Sequence, residues 1–175
     1  MNENKTPMLL VSIAVILLLL CGGFFTMGGL VNTSSTIPPG LYWKVDKPLA
    51  VGKIVVFCPP NRLEFQKARD QGMIGGGSCP DNFDNMMLKV AAKYKNKVTI
   101  NDSGVTINDV LYPQSKPLEK DKAGRPMPIL SLDNYELKEN EILLMSDASG
   151  EPFDGRYFGL IDVEQVDSVI SPVLP

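Results

Sequence analysis

The sequence of 175 residues contains no histidine. This absence excludes catalytic sites in which an imidazole activates a serine or cysteine, and it excludes zinc sites built on histidine. Acid–base chemistry near neutral pH must therefore come from Lys, Asp, Glu, Tyr or Cys side chains. The net charge is only −3, and lysine and arginine are spread along the chain. The composition therefore gives no reason to expect nucleic-acid binding.

Cysteine is scarce, with three residues in the chain. Cys21 lies in a long apolar segment, which leaves Cys58 and Cys79 as a pair in the remaining, soluble part. Outside the cytoplasm such a pair most often forms a disulfide, with two free thiols as the alternative. Because histidine and a third soluble cysteine are missing, we predict no metal site and no cofactor.

Charged residues are absent from residues 8–30. Roughly twenty apolar residues suffice to span a bilayer, so this segment is predicted to be an uncleaved anchor in membrane lipid. A removed signal peptide is the alternative, although the apolar stretch continues past the small residues that follow its core. Lys5 precedes the segment, which favours residues 1–7 in the cytoplasm and residues 31–175, as one domain, on the other side.

The soluble part is predicted to be mainly β, in a small, coiled β-barrel domain. Short runs rich in aromatic and β-branched residues predict strands at residues 40–45, 53–58, 86–94, 97–101, 105–108, 141–145 and 163–170. The three-residue connection Asp102-Ser103-Gly104 indicates a hairpin. One helix and two long loops are predicted at residues 62–71, 73–85 and 113–128, respectively.

Hydroxyl residues follow the apolar segment directly, as Ser34, Ser35 and Thr36. A juxtamembrane linker is the alternative interpretation of this segment. Lys89 lies between apolar neighbours, and on a strand it would share a face with Met87. A lysine that acts as a general base must be neutral, and burial among apolar side chains favours the neutral form. A structural lysine at a sheet edge is the alternative.

Asp154 and Arg156 are near neighbours flanked by aromatic residues and glycines. A surface salt bridge in a tight turn is the simplest interpretation of this pair.

Taken in order, these segments resemble the signature motifs of signal peptidase I, and most closely its TraF-type branch, which serves conjugative transfer. The matching residues are Asn32-x-Ser34-x-Thr36-Ile37-Pro38-x-Gly40-Leu41-Tyr42, Gly52-Lys53-Ile54-Val55-Val56-Phe57, Cys58-Pro59-Pro60 with Cys79-Pro80, Leu88-Lys89-Val90-Ala91-Ala92, Val105-Thr106-Ile107-Asn108, Gly124-Arg125-Pro126-Met127-Pro128 and Phe153-Asp154-Gly155-Arg156-Tyr157-Phe158-Gly159. The resemblance covers nearly the whole chain beyond the anchor. It implies a signal-peptidase-like fold in the bacterial inner membrane, with the catalytic domain in the periplasm.

The resemblance also implies roles for individual residues. Lys89 would be the general base, and Asp154 with Arg156 would support the catalytic loop. The nucleophile departs from the family pattern: Thr36 stands where the branch usually has serine, whereas Ser35 meets the spacing of the broader family. Thr36 fits the motif without a gap, but its methyl group crowds the attack.

Two further departures lie near the supporting pair. Pro152 and Gly155 replace common serines of the family. These departures leave two classes of function open. The first is a serine-type endopeptidase that trims, and in some relatives cyclises, a pilin precursor for type IV secretion, alongside other conjugation-machinery proteins. The second is a catalytically inactive, membrane-tethered pilus-assembly factor. A general leader peptidase acting on other preproteins is a third alternative.

Overall fold

The computed structural model describes residues 6–147 and 153–173 of the chain. In this part the helices are α1 (Thr6–Thr26), α2 (Leu63–Asp70) and α3 (Gly155–Phe158), with short 3₁₀ turns at Pro80–Asn82 and Val163–Gln165. The strands are β1 (Gly29–Asn32), β2 (Gly40–Val45), β3 (Ile54–Phe57), β4 (Met86–Ala92), β5 (Lys97–Asn101), β6 (Gly104–Ile107), β7 (Val110–Leu111), β8 (Leu132–Glu136), β9 (Glu141–Met145), β10 (Leu160–Asp162) and β11 (Val166–Pro172). The prediction of a mainly β domain behind one N-terminal apolar helix is confirmed.

The apolar segment forms helix α1, in which Pro7–Thr26 is long and apolar enough to cross a membrane. The helix ends before the predicted limit of the anchor at residue 30. The reason is that Leu30 already pairs with Tyr42 in the sheet. The ring of Phe24 meets Trp43 edge to face at 5.3 Å, so the end of the helix packs against the β domain.

Strand β4 lies inside a seven-stranded antiparallel sheet with the order β1-β2-β11-β3-β4-β9-β10. Met87 and Lys89 are half-buried on one face of this strand, while the residues that alternate with them are buried on the other. Lys89 pairs with Ile54 of β3 and with Met145 of β9. It therefore stands in the interior of the sheet and not at a sheet edge.

A second, four-stranded antiparallel sheet has the order β7-β6-β5-β8. The predicted hairpin is formed by the two central strands, β5 and β6. Its connection has two residues and not the expected three, because Gly104 already pairs with Asn101 in the sheet. Gly104 has a φ of +132°, a conformation that residues with side chains rarely adopt. Tyr112 follows β7, and its backbone N–H donates to the carbonyl of Val105 on the neighbouring strand.

The main core lies between the large sheet and helix α2. Phe65 of α2 is fully buried against Phe153 and Phe158, with ring centroids 5.9 and 4.8 Å away. Cys58, directly after β3, forms the predicted disulfide with Cys79, across a Cα–Cα distance of 5.5 Å. This bond ties the loop at residues 73–85 to the sheet.

One segment prediction needs correction. The strand expected at residues 163–170 is a 3₁₀ turn followed by β11, because Asp162 accepts a hydrogen bond from the N–H of Glu164 and caps that turn. The long loop predicted at residues 113–128 is confirmed, since it contains no helix or strand and is mostly exposed, and it is anchored to the domain by the buried residues Ser115 and Met127. The hydroxyl of Ser115 accepts the N–H of Val105 at 2.9 Å.

Candidate active site

Asn32, the last residue of β1, organises the loop that carries the hydroxyl residues. Its buried side-chain amide donates to the carbonyls of Ser34, Ile37 and Pro38, at 3.1, 3.0 and 3.2 Å. Its side-chain oxygen accepts the N–H and the hydroxyl of Ser34, at 3.1 and 2.8 Å. Asparagine readily forms such turns with the backbone two residues on. One buried side chain thus fixes the shape of residues 33–38.

Thr36 is the hydroxyl residue of this loop that reaches strand β4. Its Oγ1 donates to the carbonyl of Met87 at 3.1 Å and lies 2.8 Å from the Ser34 hydroxyl. Ser35 is exposed, and the cleft described below is lined by its two neighbours, Ser34 and Thr36. The loop therefore presents Thr36, and not Ser35, toward the strand of Lys89.

Lys89 lies two residues beyond Met87 on the same face of β4, a spacing of about 7 Å along a strand. Its ε-ammonium donates to Oδ2 of Asp147 at 2.5 Å. The Lys89 side chain is 35% exposed and that of Asp147 is 50% exposed. The desolvation expected for a lysine base is therefore incomplete in this structure, because the side chain extends to an ion pair at the edge of solvent.

The second carboxylate oxygen of Asp147 accepts a hydrogen bond from the hydroxyl of Tyr112 at 2.5 Å. Burial alone would raise the pKa of Asp147, but hydrogen bonds from Lys89 and Tyr112 outweigh it and hold that pKa below its usual range. Burial raises the pKa of the Tyr112 phenol, and the hydrogen bond to Asp147 raises it further, as the second-largest cause. Lys89, Asp147 and Tyr112 thus form a continuous chain of hydrogen bonds beside Thr36.

Asp154 and Arg156 form a buried ion pair rather than the surface pair of the simplest interpretation. The two side chains are 0% and 3% exposed, and the guanidinium holds both carboxylate oxygens, at 2.8 and 2.9 Å. Arg156 also donates to the carbonyl of Gln114 at 2.8 Å. Burial raises the pKa of Asp154, and the N–H donors from Arg156 and Ser146 act against that rise.

Ser146 connects this pair to the hydroxyl loop. Its N–H donates to Asp154 at 3.0 Å, and its hydroxyl donates to the carbonyl of Thr36 at 2.5 Å. Gly155, one of the two departures from the resembled motif, follows Asp154, and a Cβ there would lie 2.6 Å from the carbonyl oxygen of Leu144. Glycine is therefore required by the packing of α3. Pro152, the other departure, lies outside the described residues.

A cleft of about 410 Å³ opens beside Thr36. Its walls are the hydroxyl loop, the end of α1 and the disulfide-tied loop, and its lining mixes apolar with polar side chains. The lining residues are Phe25, Leu30, Val31, Asn32, Thr33, Ser34, Thr36, Met73, Ile74, Gly75, Asp84, Asn85, Met86 and Met87. Phe25, near the end of α1, places the cleft next to that helix.

Three site residues were not predicted from sequence: Tyr112, Ser146 and Asp147. Tyr112 and Asp147 are 35 residues apart, and only the meeting of the two sheets brings them together. A turn signal was available for Asn32, since Asn precedes Ser34 by two residues. Within residues 6–147 and 153–173, no group of three or more acidic or cysteine side chains is arranged to hold a metal ion.

Comparison with known proteins places the chain in a family. The family model described as signal peptidase, peptidase S26, matches residues 5–173. A plasmid transfer protein TraF of Escherichia coli is 45% identical over 157 residues, which make up 90% of this chain and 89% of that protein. The probable conjugal transfer protein TraF of Sinorhizobium fredii is 31% identical over 146 residues, or 82% of this chain and 76% of that protein.

The conjugal transfer protein TraF of Agrobacterium tumefaciens is 27% identical over 176 residues, which is 99% of this chain and 97% of that protein. The family model covers almost the entire chain, and the similarity to these relatives likewise extends over most of it. The resemblance seen in the sequence motifs is therefore confirmed: the chain belongs to the signal peptidase family S26, as a member of the TraF type.

Proposed function

We propose that this chain is a membrane-anchored endopeptidase that processes a pilin precursor for conjugative transfer, with its catalytic domain in the periplasm. Membership of family S26 supports a serine-type peptidase. The conjugal transfer role named for the TraF relatives supports the biological setting. The main structural support is the hydrogen bond from the Thr36 hydroxyl to the carbonyl of Met87, two residues from Lys89 on one face of β4.

In the proposed mechanism, neutral Lys89 accepts the hydroxyl proton of Thr36 while Oγ1 attacks the scissile carbonyl carbon. Backbone N–H groups near the nucleophile would stabilise the negative charge that develops on the carbonyl oxygen. The leaving amine then takes the proton from Lys89, and an acyl ester remains on Thr36. Water completes hydrolysis, whereas attack by the substrate's own terminal amine would give a cyclic product.

The geometry favours Thr36 over Ser35 as the nucleophile. Thr36 lines the cleft and its hydroxyl is held against β4, whereas Ser35 is exposed. The Ser146 hydroxyl holds the Thr36 carbonyl, which fixes the backbone from which the nucleophile extends. These contacts hold the Thr36 side chain and backbone in place, as catalysis by a positioned nucleophile requires.

The second candidate function is a catalytically inactive assembly factor anchored in the same membrane. The observation that favours it is the ion pair between Lys89 and Asp147, since a lysine held as an ammonium cannot accept a proton. In this case the cleft would bind a pilus component without cleaving it. Because both functions use the same fold, the structure does not distinguish them. Cleavage of a substrate does, since only the peptidase would cleave it.

The test is processing of a co-expressed pilin precursor, followed by mass spectrometry of the product. We expect cleavage with the wild type and Ser35→Ala, and loss of cleavage with Thr36→Ala and Lys89→Ala. Lys93→Ala, which alters an exposed lysine just after β4, is the matched control and should process normally. A linear product weighs one water more than a cyclic one. Normal processing by Lys89→Ala would refute the peptidase mechanism.

A further inference from the structure

Asp147 and Tyr112 have no role in the proposed reaction, although hydrogen bonds join both of them to Lys89 in one chain. It joins three separate elements: Lys89 comes from β4, Asp147 follows the end of β9, and Tyr112 follows β7. Both oxygens of the Asp147 carboxylate are engaged, one by the ε-ammonium and one by the phenol, each at 2.5 Å. The position of the carboxylate is thus fixed from two sides.

Asp147 is also part of the framework that holds the nucleophile. It directly follows Ser146, whose N–H donates to Asp154 and whose hydroxyl donates to the Thr36 carbonyl. The backbone at Ser146 therefore links the supporting pair, the nucleophile loop and the carboxylate. An exposed ion pair elsewhere on the surface, such as Lys44 with Asp167, has no such connection to Thr36.

The ε-ammonium of Lys89 is paired with the carboxylate of Asp147. Among the described residues, Asp147 accepts a hydrogen bond from Lys89 and a second one from Tyr112. The charge of Asp154 raises the pKa of Tyr112, and that of Arg156 lowers it. A carboxylate in contact with an ammonium stabilises the charged form of the amine. Both side chains are partly exposed, so water screens the attraction between them.

We propose that Asp147 is a positioning residue that holds Lys89 in a protonated resting state, with Tyr112 fixing Asp147 in place. This inference rests on the proposed peptidase function. The Lys89 ammonium releases one proton to bulk water at its exposed side, and the neutral amine then leaves Asp147. It turns to the Thr36 hydroxyl, from which it takes the proton during attack. The flexible four-carbon stem of lysine allows this movement.

The proposal predicts a specific change in the pH profile of processing. Activity requires the neutral amine, and Asp147 favours the ammonium, so the acidic limb of the wild-type profile lies at a higher pH than it would without the carboxylate. In Asp147→Asn the acidic limb should move toward lower pH, because the substitution removes the carboxylate charge from its pair with Lys89. Tyr112→Phe removes only the hydrogen bond that fixes Asp147 and should give a smaller shift in the same direction.

The experiment measures initial rates of precursor cleavage against pH, with the purified full-length chain in detergent micelles and a synthetic precursor peptide. Asp167→Asn is the matched control, because it removes the same charge from an exposed ion pair of similar accessibility, and its profile should equal that of the wild type. Thermal unfolding of every variant shows whether it is folded. If Asp147→Asn unfolds, the shift in Tyr112→Phe decides the question.

An unshifted profile in both variants, or an equal loss of rate at every pH, would show that Asp147 has only a structural role. That result is distinct from failure of the proposed function. If the wild type does not cleave the peptide, or if Lys89→Ala cleaves it normally, the peptidase function itself fails. A shift in Asp147→Asn together with an inactive Lys89→Ala supports both proposals.

Discussion

Replacing Asp154 with alanine should lower the free energy of unfolding by about 3 kcal/mol. The substitution leaves the guanidinium of Arg156, which is 3% exposed, without its carboxylate partner. Removal of one partner from a buried ion pair costs about 3–5 kcal/mol, because the other charge stays buried and unpaired. Arg156 keeps the carbonyl of Gln114 as an acceptor, which places the expected loss at the lower end.

The assay is urea unfolding of the purified chain in detergent micelles, followed by circular dichroism. A domain of this size has about 5–15 kcal/mol of stability, so the change should be large enough to move the midpoint clearly. Asp167→Ala, at an exposed ion pair with Lys44, is the control and should cost at most about 1 kcal/mol.

A double variant tests the physical reason for this loss. Replacing Asp154 with leucine and Arg156 with methionine removes the buried charge altogether, and the double variant should be more stable than Asp154→Ala. A loss in Asp154→Ala no larger than in Asp167→Ala would refute the reasoning. It would mean that the Arg156 guanidinium is solvated or neutralised in a way that the buried geometry does not allow.

Three further predictions follow from the site. Thr36→Ser should retain processing, because it keeps the hydroxyl and removes only the methyl group. Ser35→Thr should leave the rate of processing unchanged. Cleavage of the precursor is the measurement for both variants. Asn32→Ala should lower the free energy of unfolding by about 1–3 kcal/mol and reduce cleavage more strongly than a Thr33→Ala control, because the loop carbonyls lose a buried donor. Removing the disulfide with Cys58→Ala and Cys79→Ala should cost about 3 kcal/mol, since the bond closes a loop with a sequence separation of 21. Unchanged melting temperatures in either case would contradict these assignments.

Much of the fold is visible in the local sequence pattern. The strand at Gly40–Val45 and the helix at Leu63–Asp70 were predicted almost at their observed bounds, because aromatic alternation and helix-forming residues are local signals. Strand β1 was missed, since its residues continue the apolar run of helix α1 without a break in hydropathy. Helix α3 was missed because it has only four residues and is stabilised by burial of Tyr157 and Phe158.

The candidate site could be predicted only in part for a similar reason. Thr36 and Lys89 stand in recognisable motifs, and the structure brings their segments together through the carbonyl of Met87. The ion pair of Lys89 with Asp147 depends on how β4 and β9 are paired, which the sequence alone does not specify. A lysine among apolar neighbours suggested desolvation, but the period of the strand turns Lys89 away from the core face.

We propose that the Thr36 hydroxyl attacks the substrate with Lys89 as its base. The most direct test is mass spectrometry of the chain after rapid acid quenching of a reaction with a precursor peptide, with fragmentation across residues 32–37. The account predicts an acyl group on Thr36 in the wild type and none in Lys89→Ala. An acyl group on Ser34 or Ser35, or acylation that persists in Lys89→Ala, would contradict it.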